Sequence, residues 1–192
     1  MGLMLRGRTR PNITDINMDL KTKIREVPDW PKKGVNFKDI TTILQDPETF
    51  REVIDQICQP LVDKKIDKIV GIDARGFLIA APAAYNLKTG LSIVRKKGKL
   101  PFDTIEEEYD LEYASAVIQM HQDAIKKGEK VILMDDLAAT GGTALATCDL
   151  IEKLGGDIIE IVFIVDLPFL GGSKKLEERG YKIRSLVSYD SE

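Results

Sequence analysis

Residues 131–143 read Val-Ile-Leu-Met-Asp-Asp-Leu-Ala-Ala-Thr-Gly-Gly-Thr, an apolar run that meets two adjacent acids and then small, hydroxyl and glycine residues. The first four positions show no polar alternation, as expected of a parallel strand covered on both faces. Asp135 and Asp136 then fall at the carboxyl end of that strand, the edge of an α/β sheet where ligands gather. Beyond them Ala139, Thr140, Gly141, Gly142 and Thr143 can turn backbone N–H groups toward an anion, since a residue without Cβ permits close approach and positive φ. A helix starting there adds its positive end. The layout suits a sugar phosphate. Taken alone it is also open to a plainer reading, a helix start followed by two solvated acids.

The elements that must hold these residues alternate along the chain. After a short helix opening at Met18 and a proline-marked loop over residues 27–34, Pro47 sets up a helix over residues 48–63, bent by Pro60. The apolar positions Phe50, Val53, Ile54, Ile57, Leu61 and Val62 recur there at helical spacing. Strands are predicted at 68–72, 91–95, 130–135, 158–165 and 182–187. Helices are predicted at 76–87, 114–127, 143–154, closed by Gly155 and Gly156, and 173–179. Residues 96–108, with Lys96, Lys97 and Lys99 before Pro101 and Glu106 to Glu108 after it, read as a mobile surface loop. Strand and helix in alternation imply an α/β fold, a parallel central sheet flanked by helices.

Composition narrows the functional classes. The 192 residues fit one domain, and 43% hydrophobic content is ample for a core. Residues 1–17 read as a disordered tail or an appended expression segment, and 18–192 as the domain itself. With 28 Lys and Arg against 31 Asp and Glu, the net charge of −3 offers no field for nucleic acid or an anionic membrane. Cys58 and Cys148 are far apart in predicted helices, which indicates neither a disulfide framework nor a C-x-x-C site and suits a cytoplasmic protein. No apolar run reaches the length of a membrane span. The phosphate-loop, dinucleotide-fold and nucleophile-elbow motifs are absent. His121, the one histidine, reads as structural or surface.

The acid pair and glycine loop resemble the signature of the type I phosphoribosyltransferases. Further segments appear in the order seen in the adenine-specific branch of that family: Pro28-Asp29-Trp30-Pro31, Gly34-Val35-Asn36-Phe37-Lys38-Asp39-Ile40-Thr41, Gly71-Ile72-Asp73-Ala74-Arg75-Gly76-Phe77, Arg95-Lys96-Lys97-Gly98-Lys99-Leu100-Pro101 and Leu111-Glu112-Tyr113. One such segment is weak evidence; this many in order, over nearly everything from Met18 onward, are strong.

The resemblance implies the family fold with a small N-terminal hood that recognises the base. It also implies transfer of phosphoribose from 5-phosphoribosyl 1-pyrophosphate (PRPP) to N9 of adenine, giving AMP and pyrophosphate, with Mg²⁺ carried in on PRPP and no metal ligands from the chain. Ala139 to Thr143 would cradle the 5′-phosphate, while Asp135 and Asp136 accept hydrogen bonds from the ribose hydroxyls and stabilise a cationic sugar. Asp73, Ala74, Arg75 and Gly76 match the pyrophosphate loop, whose peptide in this family is often cis, and Arg95 and Lys99 match cationic positions beside it. A basic group there can come from a neighbouring subunit, implying a homodimer. Val35, Asn36, Phe37 and Lys38 match the adenine segment, with Phe37 as stacking platform and the Asn36 backbone as donor and acceptor. Glu112 matches the residue that exchanges a proton with the purine. Asn36, Lys38 and Ala114 stand where the family usually has an aliphatic residue, an arginine and a glycine. Two other readings are a transferase for xanthine, hypoxanthine or orotate, and a nucleotide-sensing regulator, which would need a basic face that this chain does not display.

Overall fold

A computed structural model describes residues 18–110 and 115–191 of the chain. Its centre is the parallel run β3 (Lys68–Ile72), β4 (Gly90–Lys96), β7 (Lys130–Ala138), β8 (Asp157–Asp166) and β9 (Ile183–Ser188). Together with β5 (Thr104–Asp110) and β6 (Ser115–His121) these form one seven-stranded sheet in the order β5-β6-β4-β3-β7-β8-β9. β7 is therefore central, which is why residues 131–134 lack polar alternation. Ile132 and Met134 enter the core beneath α2 (Pro47–Cys58) and α3 (Arg75–Leu87), while Val131 and Leu133 enter the opposite core beneath α4 (Gly142–Lys153). All four are fully buried, each worth about 1.5–3 kcal/mol against exposure.

Local chemistry sets the element ends. Asp46 accepts the Thr49 amide at 2.8 Å and Pro47 takes the first helical turn, starting α2. The expected bend at Pro60 is a change of helix type, a 3₁₀ turn over Gln59–Leu61. α3 closes on Lys88 in the left-handed region at φ 56°.

Two expectations are corrected. Residues 115–121, read as part of a helix, form β6, which pairs antiparallel with both β4 and β5. The segment 96–108, read as a mobile loop, gives its second half to β5. Side chains crossing between neighbours explain this, since Lys97 reaches Glu106 at 2.9 Å, Gln119 donates to Glu106 at 3.0 Å, and Lys153 of α4 pairs with Glu107. Acids that look like a solvated run in sequence alternate between partners once the strands are paired. The sheet thus has a parallel centre and an antiparallel edge.

The N-terminal hood is a two-stranded antiparallel sheet, β1 (Arg25–Val27) with β2 (Phe37–Asp39), preceded by a 3₁₀ turn over Leu20–Lys23 and followed by α1 (Thr41–Gln45). The connecting loop contains a cis Trp30–Pro31 peptide. α5 (Gly172–Glu178) precedes β9. No helix among the described residues is long and apolar enough to cross a membrane.

Candidate active site

β7 runs past both acids to Ala138, and the chain then turns through Ala139 and Thr140 into α4. Gly141 makes the turn at φ +82°, a conformation that a side chain resists, and a Cβ there would sit 2.9 Å from the Gly172 Cα. Gly172 donates its amide to the Ala139 carbonyl at 2.9 Å, and Lys175 donates its ammonium to the Thr140 carbonyl at 3.2 Å. With those carbonyls held from behind, the loop and the first turn of α4 are left to offer N–H groups forward.

At the neighbouring strand end the two acids are not equivalent. Asp136, buried, accepts the Arg75 Nε at 2.5 Å, and Asp135 accepts the Asp136 amide at 2.9 Å. Burial, reinforced by the charge of Asp136, pushes the Asp135 carboxyl well above the usual carboxylate range, with hydrogen bonding to the Asp136 amide and the Arg75 charge pulling the other way. Arg75 opens α3 directly after the Asp73–Ala74 peptide, which is cis. Gly76 packs the start of α3 onto the end of β7, where a Cβ would come within 2.8 Å of the Met134 carbonyl. Arg95 bridges Asp73 at 3.2 Å and the Lys99 carbonyl at 3.2 Å, so it is the backbone of Lys99 that joins this set, its side chain being exposed.

Part of this set lines a cleft of about 410 Å³ at the C-terminal edge of β3, β4 and β7. Asp73, Ala74, Arg75, Asp135, Asp136 and Thr143 are on its wall. Lys96, Tyr109 and Ile118 also line it and were not singled out from sequence. Ile118 lies in the segment read as a helix, Tyr109 falls just past the segment read as a loop, where sequence assigns no element, and Lys96 reads in sequence as one of several solvated lysines. Gly172 is a second omission, signalled in sequence by nothing more than a glycine pair.

Phe37, on β2 of the hood, has its ring centroid 5.6 Å from the Cζ of Arg75, a residue of the cleft wall, and 4.5 Å from the edge-on ring of Trp30. Strand alternation sends the neighbours the other way. Lys38 is 5% exposed, pairs with Glu26 at 3.2 Å and lies 4.3 Å over the Tyr189 ring. The Asn36 amide nitrogen donates to the same Glu26 oxygen at 2.6 Å. Val35 is fixed by its carbonyl, which accepts the Trp30 amide at 3.1 Å. The structure therefore brings the glycine loop at residues 139–143, the acid pair, residues 73–76 and Phe37 to one side of the sheet, and directs the Asn36 and Lys38 side chains to Glu26. Glu112 and Ala114 lie outside the described residues.

A parallel sheet with this glycine loop and acid pair at its carboxyl edge defines a phosphoribosyl transferase domain; the family model of that description matches residues 39–189, and the chain belongs to the family. Its similar relatives share one further name. The adenine phosphoribosyltransferase of Desulfosudis oleivorans is 53% identical over 175 residues, 91% of this chain and 100% of the relative. The adenine phosphoribosyltransferase of Thermoanaerobacter pseudethanolicus has a solved structure with a TM-score of 0.84 and 47% identity, covering 88% of this chain and 98% of that one. The Saccharomyces cerevisiae enzyme, solved with an imino-altritol bisphosphate and adenine, has a TM-score of 0.81 at 36% identity, covering 87% and 96%.

Proposed function

We propose that the chain is an adenine phosphoribosyltransferase, transferring phosphoribose from PRPP to N9 of adenine to give AMP and pyrophosphate in purine salvage. The observation that carries this is the cleft whose wall brings Thr143 at the start of α4, the two acids of unlike environment and Arg75 together, with the Phe37 ring 5.6 Å from that arginine.

The residues divide the substrate between them. Amides of residues 139–143, with the Thr140 and Thr143 hydroxyls, take the 5′-phosphate. Asp135 and Asp136 take the ribose hydroxyls, and their negative charge stabilises the oxocarbenium-like sugar formed as the C1′–O bond breaks. Pyrophosphate leaves toward residues 73–76, Arg95 and Lys99. Among the described residues no group of three or more His, Cys, Asp or Glu stands ready to hold a metal ion, and Asp73 and Asp136 are already engaged by arginines. That donor set suits a Mg²⁺ ion that enters as part of the PRPP substrate, where it would neutralise departing charge. Phe37 stacks on adenine, whose N9–H proton must leave as the N9–C1′ bond forms; Glu112 is the acid that the family resemblance assigns to proton exchange.

The apolar side chains that α3 leaves exposed, Leu78 and Tyr85, support a homodimer. Two unpaired, buried thiols suit a cytoplasmic setting. The test is turnover: with Mg²⁺ and PRPP, the purified chain converts adenine far better than hypoxanthine, guanine or xanthine. Equal use of these bases would overturn the reading.

A further inference from the structure

Both departures of the adenine segment from the usual family pattern, Asn36 and Lys38, end on one atom. Glu26 Oε2 accepts from the Asn36 side-chain Nδ2 at 2.6 Å and from the Lys38 ammonium at 3.2 Å, from the strand facing them in the hood. The tie extends into the main domain. The Lys38 ammonium lies over the Tyr189 ring, and the Tyr189 amide donates to the Asp166 carbonyl at 3.1 Å. Asp166 ends β8 and pairs in register with Ala138, the residue before the phosphate loop. The hood is thus anchored to the strand end that carries the phosphate loop.

We infer that Glu26 is a positioning residue for the base, holding the two residues that flank Phe37 in a fixed relation to the phosphoribose site. The inference rests on the adenine reading above. Stability alone is a poor account of the cluster, because the Asn36 Oδ1 is buried with no hydrogen-bond partner among the described residues, a costly arrangement that an aliphatic side chain would avoid. Glu26 itself is half exposed, so it supplies charge and geometry and little packing. Among the described residues, removing it leaves the buried Lys38 ammonium facing the Tyr189 ring alone, so the strand must shift for that charge to reach water.

Trp30, the one tryptophan, packs edge-on against Phe37 and reports the hood directly. Glu26→Ala is expected to change Trp30 emission and acrylamide quenching in the ligand-free protein. It should raise the adenine KM about fivefold or more while PRPP KM and kcat stay within about twofold. Glu26→Gln, which keeps an acceptor for Asn36, should recover part of the adenine KM. The double variant Glu26→Ala/Lys38→Met removes the stranded charge and should melt like the parent yet still bind adenine weakly. The inference is overturned if a folded Glu26→Ala keeps the parental adenine KM and Trp30 signal, if both KM values rise together, or if the double variant binds adenine normally. A parent that consumes no adenine would instead sink the functional reading, with Trp30 quenching still deciding whether Glu26 holds the hood.

Discussion

Gly172 lies against Gly141 so closely that a Cβ on Gly172 would come within 2.6 Å of the Gly141 nitrogen, and the Gly172 amide is the partner of the Ala139 carbonyl. The loop proposed to hold the 5′-phosphate is therefore shaped from behind by a segment more than thirty residues later in the chain. Gly172→Ala should push residues 139–141 forward. The expected result is a fall of about ten- to a hundredfold in kcat/KM for PRPP, the scale of an ångström-level displacement, with little change in adenine KM. Steady-state kinetics varying each substrate checks it, and a normal PRPP KM in a folded variant would count against the loop's role.

Asp135 carries a pH signature. Burial and the neighbouring Asp136 raise its folded-state pKa above the unfolded value, so the folded chain holds this proton more tightly. That contribution to stability is complete below the unfolded carboxylate range and is lost as pH rises through the raised folded value. Asp135→Asn keeps an oxygen for the Asp136 amide and has no proton to lose. Its Tm should exceed that of the parent at neutral pH, by about 2–4 °C for each kcal/mol recovered, and the two should converge in acid. Turnover should fall at the same time, on the order of a hundredfold. Parallel Tm profiles across pH would refute the assignment.

How much of this could be seen in the sequence depended on whether local order or distant pairing decided the structure. The strand and loop at residues 131–143 were visible because burial on both faces, the acid pair and the glycines are all local signals. β6 was not, because Val117, Ile118 and Ile125 recur at helical spacing while Ile118 and Met120 alternate as a strand, and pairing with β5 and β4 settled the matter. Tyr109 and Lys96 were lost to the same cause, since a residue's place on a cleft wall follows from strand register. The adenine segment was located by family resemblance, but nothing local indicated that Asn36 and Lys38 share Glu26.

The two thiols should be silent in the native protein. Burial pushes Cys58 to about 11 and Cys148 to about 12, so almost no thiolate exists near neutrality. Titration with a chromogenic disulfide at pH 8 is expected to label neither cysteine until denaturant is added, and then both. Rapid labelling without denaturant would show that α2 or α4 opens locally.

Glu160 lies on β8 toward the end opposite the cleft, its side chain fully buried, with Lys182 at 2.9 Å, Arg184 at 3.4 Å and Lys64 at 3.5 Å. Arg184 also donates to the Gln56 and Ile57 carbonyls, tying the end of α2 to the sheet. Burial alone would raise the Glu160 pKa, but the three cations outweigh it and hold it below the usual range. A depressed folded-state pKa contributes stability above the unfolded value and loses it as pH falls through the folded one. Glu160→Ala should therefore cost about 1–3 kcal/mol near neutrality, because its partners are partly exposed and can turn to water. The difference should shrink in acid, and kcat and both KM values should be unchanged because no partner reaches the cleft. Melting curves from neutral pH down to the acid limb, read beside kinetics at neutral pH, separate this support from any part in the chemistry. An altered PRPP KM would mean that the two ends of β8 are coupled.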